Sequence, residues 1–194
     1  MSAPLRKSSW QLLLLGLNAR LRGPDRRLEA LSWIGDERIA ISGVVTPDSV
    51  FMLSERGVSH IVNCRSSGQV WLARDLAIER ALFGSDHVAH ASLRDFGHRQ
   101  NHRRWAPAAI FAVQALEDPD AKVLIHCQKG RHRSVMVAYA VLRLRGYSAA
   151  ESAALILDHR RGAELLPAYV ESVERWLDDR RQAVDPQTLG EGSR

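Results

Sequence analysis

The order of elements along the chain predicts an α/β domain, with a central, mostly parallel twisted sheet of four to five strands and helices on both faces. Short apolar runs at residues 38–42, 59–64, 87–92 and 123–127 alternate with stretches that carry helical periodicity or helix-stop residues. The run Val123-Leu124-Ile125-His126-Cys127 also passes through a glycine-bearing basic loop into Ser134 and a mostly apolar helix, which makes a strand-to-helix turn. In open sheets of this kind ligands gather outside the carboxyl ends of the strands, where Cys64, Asp95 and Cys127 all emerge.

Residues 1–27 read as an N-terminal segment, a helix plus a linker. Trp10 to Leu17 imitates the apolar core of a secretory signal but is interrupted by Gln11 and followed by arginines, and it is too short to span a bilayer. It is expected to pack on the domain, with contact at a membrane surface as the functional alternative. The Gly23-Pro24-Asp25 turn leads into the domain proper, residues 28–182.

Arg38 to Ser42 is the first expected strand. Thr46-Pro47-Asp48 follows, a cap hydroxyl, a first-turn proline and an acid, and starts a helix that stops at Gly57. Ser59 to Cys64 reads as a strand, Val70 to Ala81 as one helix and His87 to Ser92 as a short strand. The polar, basic segment from His98 to Arg104 reads as loop. Trp105 to Leu116 reads as a helix closed by Asp118-Pro119-Asp120. After the Cys127 strand and its helix, Ser148 and Glu151 are spaced as a capping box for a helix running to about Arg161. A last helix carries Val170, Val173 and Leu177 on one face, and residues 183–194 read as a disordered tail.

Composition narrows the function classes. At 194 residues the chain can bury about 70 % of the surface its unfolded form exposes. Its two cysteines fit no disulfide scaffold or metal-ligand pattern and suit a reducing, cytoplasmic setting. The net charge of +5 comes mostly from arginine and suits an anionic substrate. No helix-turn-helix, zinc-finger spacing or aromatic-interleaved basic face points to nucleic acid. The eight histidines are scattered; His98 and His102 sit four apart, but in a loop, so neither a metal nor another cofactor is expected.

The loop after Cys127 carries the chemistry. The first N–H groups of a helix lack partners and hold the positive end of its dipole, so they can surround an anion. Those amides, with Arg131 and Arg133, favour the Cys127 thiolate, which makes it a nucleophile near neutral pH. Arg133 offers a planar fork to phosphoryl oxygens. Taken singly, Cys127 could be a buried structural thiol and Arg133 a solvated charge at a helix start.

The nonapeptide His126-Cys127-Gln128-Lys129-Gly130-Arg131-His132-Arg133-Ser134 is similar to the signature of cysteine-dependent protein tyrosine phosphatases, and its surroundings resemble the dual-specificity branch. Gly57-Val58-Ser59-His60-Ile61-Val62-Asn63 resembles a segment common there, Leu93-Arg94-Asp95-Phe96-Gly97 its general-acid loop, and Asp158-His159-Arg160-Arg161 with Pro167 its later arginine-rich turn. The likeness runs from about Ile34 to Leu177. It implies a dual-specificity-phosphatase-like fold with Cys127 as nucleophile and Arg133 with the amides of residues 128–133 as the phosphate cradle. Gln128, Lys129, Gly130, Arg131 and His132 would complete that cradle, Asp95 would be the general acid, Ser134 the hydrogen-bond donor to the departing sulfur and His126 an orienting residue. Asp95 could also be an ordinary turn aspartate, with Asp86 the fallback acid. Cys64 is either a buried hydrophobe or, as in some relatives, the redox partner of Cys127. The expected substrates are phosphorylated proteins. A phosphoinositide or inositol polyphosphate is the alternative, because Lys129, Arg131 and His132 add cations at the loop, and a non-catalytic phosphate-binding module is the third reading.

Overall fold

The computed structural model describes residues 31–46 and 50–184, so the expected N-terminal helix, the Pro47-Asp48 helix start and the tail from residue 185 lie outside the described residues. Five strands form one sheet: β1 (Ser32–Trp33), β2 (Ile39–Ser42), β3 (His60–Asn63), β4 (Val88–His90) and β5 (Val123–His126), in the spatial order β1-β2-β5-β3-β4. All neighbouring pairs are parallel except β1 with β2. Ser42, His126, Asn63 and His90 fall in one row across the carboxyl end of the sheet. That row underlies the site.

Because successive strand residues point to opposite faces, the sheet builds two cores. Ile39, Ile41, Val62, Val123 and Ile125 join the larger one, covered by α4 (Ala106–Ala115), α5 (Arg133–Leu144), α6 (Ala149–His159) and α7 (Pro167–Val184). Ala40, Ile61, Leu124 and Val88 belong to the smaller one, covered by α1 (Phe51–Glu55) and α3 (Asp75–Phe83). α5 is buried from Arg133 to Leu142, as expected of an interior helix apolar on most of its surface. Trp105 and Trp176 lock α7 against the α4 end with rings 5.1 Å apart and edge to face.

Most expected elements are present with ends displaced by a few residues, and the sheet has the expected mostly parallel character. The Ser148–Glu151 capping box is formed: the Glu151 amide donates to Ser148 Oγ at 3.2 Å and the Ser148 amide to Glu151 Oε2 at 2.8 Å. Gly57 ends its helix at φ +81°. Two features differ from the reading of the sequence. The two-residue strand β1 was not foreseen, since so short a run carries no period. The single helix expected over Val70–Ala81 is two, α2 (Ser67–Ala73) and α3, broken at Arg74, which adopts φ +56°. A capping box between Ser66 and Gln69 starts α2 early. Asp75, just past the break, is drawn inward by Arg65 and by Asn63 Nδ2 at 3.1 Å. That buried pairing overrides the continuous helical pattern. Among the described residues no helix is long and apolar enough to cross a membrane.

Candidate active site

The site is assembled where β5 ends. Cys127 is almost fully buried, and its Sγ accepts hydrogen bonds from the Gly130 amide at 3.2 Å and from Ser134 Oγ at 3.3 Å. Burial pushes the thiol up, but the Ser134 hydroxyl and amide, the Arg133 guanidinium and the Lys129 amide outweigh burial, so the thiol is held below its ordinary value. Next to it, Gly130 turns at φ +67°, where an added Cβ would lie 2.5 Å from Arg160 Nη2 and 2.6 Å from the Ser42 carbonyl. Only glycine fits. The amides of Gln128, Arg131 and His132 have no backbone acceptor among the described residues, so they remain available to an anion at the head of α5.

Arg133 is buried, with Nη1 donating to Gln69 Oε1 at 2.8 Å and lying 3.4 Å from the Leu93 carbonyl, while its Nε finds no partner among the described residues. A buried guanidinium with an unused donor is costly unless an anion completes it. Asp95 reaches the same spot from the loop after β4: its Oδ2 is 3.4 Å from Arg133 Nη2 and its Oδ1 is 3.1 Å from His132 Nδ1. The loop is held on both sides. Ser92 Oγ bonds Ser67 Oγ at 2.7 Å, Gln100 N donates to Ser172 Oγ at 2.9 Å, and Tyr169 donates to the Arg94 carbonyl at 3.1 Å.

His126 faces away from the loop. Its Nε2 lies 2.9 Å from Glu79 Oε1, and both side chains are buried. Burial lowers its basicity, but the charge of Glu79, helped by Asp75 and Cys127, more than offsets this, so its pKa is raised from the ordinary 6.5. Glu79 also accepts from Asn63 Nδ2 at 3.0 Å, which ties the floor of the site to β3 and α3.

The structure thus brings Cys127, Gln128, Gly130, His132, Arg133, Ser134 and Asp95 together. Lys129 and Arg131 sit exposed at the rim, and Arg131 is paired with Glu164. Cys64 and Cys127 are both free thiols. Burial, and then the charge of Cys127, push the Cys64 thiol well up, which holds it in the protonated form that packs as a small hydrophobe. Three supporting residues, Gln69, Glu79 and Glu164, escaped the reading of the sequence, and Arg160 was named there without this role. Arg160 lay inside the arginine-rich turn and braces the loop through Nε to the Gly130 carbonyl at 3.2 Å. Gln69 was visible only as the third residue of a capping box, and nothing in the local sequence marks the other two.

No protein-family model matches the chain. Its fold is that of the cysteine-dependent, dual-specificity-like phosphatases. The structure of PTPMT1 superposes with a TM-score of 0.65 at 16 % identity, covering 80 % of this chain and 99 % of that one. PTPMT1 in complex with PI(5)P gives 0.64 at 14 % identity over 78 % and 97 %. Kinase associated phosphatase, with its catalytic-site cysteine replaced by serine, gives 0.65 at 17 % identity over 77 % and 94 %.

Proposed function

We propose that the chain hydrolyses phosphate monoesters through a phosphocysteine on Cys127, in the manner of the tyrosine and dual-specificity phosphatases. The observation that carries this reading is a Cys127 thiol held below its ordinary value beside a buried guanidinium whose Nε is unused, with the amides of Gln128, Arg131 and His132 left without backbone acceptors among the described residues. The sulfur attacks phosphorus, the S–P bond forms and the P–O bond to the leaving group breaks. Arg133 and the amides hold the equatorial oxygens as charge redistributes. Asp95 supplies the proton to the leaving oxygen, then takes one from the water that cleaves the S–P bond and releases inorganic phosphate. Ser134 donates to the sulfur when it departs. Two free cysteines and no disulfide among the described residues suit a reducing compartment, so the cytoplasm is part of the proposal.

Phosphotyrosine, phosphoserine or phosphothreonine of a protein is the leading substrate. Of the three cations expected to favour an inositol phosphate, Arg131 is neutralised by Glu164 and His132 lies between two carboxylates, which leaves Lys129. A phosphoinositide is the second reading, supported by Lys129 and by the likeness to PTPMT1, which has been seen with PI(5)P. Turnover of a panel of phosphopeptides and inositol phosphates by wild type and Cys127→Ser tests both. Loss of all turnover in Cys127→Ser is expected, with phosphopeptides preferred by the wild type. Activity surviving the substitution would sink the phosphocysteine route, and preference for inositol phosphates would reverse the order of substrates.

A further inference from the structure

The mechanism leaves one cluster unused. His132 lies between two carboxylates, with Nδ1 3.1 Å from Asp95 Oδ1 and Nε2 2.8 Å from Glu164 Oε2. The ring therefore bridges the two carboxylates, one at each nitrogen. The second carboxylate is firmly placed. Glu164 pairs through its other oxygen with Arg131, and its amide donates to the Arg131 carbonyl at 2.9 Å, which fastens the connection between α6 and α7 to the phosphate loop. The bonds to His132 and Arg131 hold the Glu164 carboxyl below its usual range, so it stays a carboxylate.

We infer that His132 is the positioning residue of Asp95: anchored at Nε2 by Glu164, it holds Oδ1 through Nδ1 and leaves Oδ2 for proton transfer. The anchor engages only Oδ1, so the same hold serves both halves of the cycle. Oδ2 is the oxygen that faces Arg133, the side on which the phosphoryl group would bind. The other groups around the carboxyl are accounted for: Arg133 from the head of α5, and Tyr169 from α7, whose hydroxyl is spent on the Arg94 carbonyl. Arg131 faces Glu164 rather than Asp95. An acid on a loop that is itself exposed gains its aim from this bridge, since misplacing a reacting group by about 1 Å costs on the order of a hundredfold in rate.

This role rests on the hydrolase reading, and the test separates the two. Turnover of a phosphoserine peptide, whose leaving oxygen must be protonated, is compared with that of p-nitrophenyl phosphate, whose leaving group needs no proton. His132→Asn should slow the peptide by about tenfold to a hundredfold and the aryl ester far less. Glu164→Gln should show the same selectivity with a smaller loss. It changes one atom outside the phosphate loop, so it also serves if His132→Asn misfolds. In an Asp95→Asn background both substitutions should have little further effect, because groups acting through one residue are not additive. Equal slowing of the two substrates, or a full effect persisting without Asp95, would overturn the positioning role while leaving Cys127-dependent turnover intact. Wild type lacking Cys127-dependent turnover of both substrates would overturn the hydrolase reading itself, and this role with it.

Discussion

Arg133 shows how much of the site depends on single atoms. Gln69 Oε1 holds Nη1, Asp95 approaches Nη2, and Nε is left with nothing to bond among the described residues. Lysine would keep the charge and lose the fork, giving up the planar contact with Gln69 and holding an anion at one point rather than two. Arg133→Lys is therefore expected to lower kcat by about a hundredfold to a thousandfold with the fold intact, as read by steady-state rates beside circular dichroism. A loss under threefold would show that the loop amides alone hold the phosphoryl group. Sequence made Arg133 legible because its spacing from Cys127 lies within one loop. Gln69 was not legible as its partner, because that contact spans 64 positions and exists only once α2 is folded against α5.

At the scale of elements, the loop between β5 and α5 stands on Gly130. Its positive φ and the approach of Ser42 and Arg160 both exclude a side chain. Gly130→Ala should distort the cradle as a whole: turnover falls by more than about a hundredfold, the misplacement cost of a reacting group, and Cys127 loses its fast alkylation by iodoacetate at neutral pH. Retention of rapid alkylation would mean that the loop tolerates the shift. The glycine itself was readable from the motif, whereas the reason it is needed was not, since Ser42 and Arg160 reach it from β2 and from the end of α6. The helix broken at Arg74 teaches the same lesson, for its local pattern suits one helix and only the buried pairing of Asp75 with Arg65 and Asn63 divides it.

Across the whole molecule, the floor of the site is a buried charged network joining β3, β5 and α3 through Asn63, Asp75, Glu79 and His126, with Arg65 just beyond β3. Breaking a buried pair costs about 3 kcal/mol, because one charge is left without its partner. His126 has its pKa raised on folding, so its contribution is complete below the ordinary 6.5 and is lost as pH climbs through the raised value. In Glu79→Gln the remaining burial acts in the opposite direction. The stability gap between wild type and Glu79→Gln, measured by urea unfolding from pH 6 upward, should be about 3 kcal/mol at the low end and narrow as pH rises. A gap that is flat with pH would show that His126 is neutral in the folded protein.

By itself the sequence determined the alternating elements, the largely parallel sheet, and the candidate-site residues Cys127, Arg133, Ser134 and Asp95, because period, turn residues and a single nine-residue loop are local properties of a chain. Tertiary structure decided what surrounds them. Glu79 beneath His126, Gln69 on Arg133, and Arg160 against Gly130 with Glu164 beside His132 come from three separate segments, and each is recruited by hydrogen bonding or charge pairing that no neighbouring residue encodes.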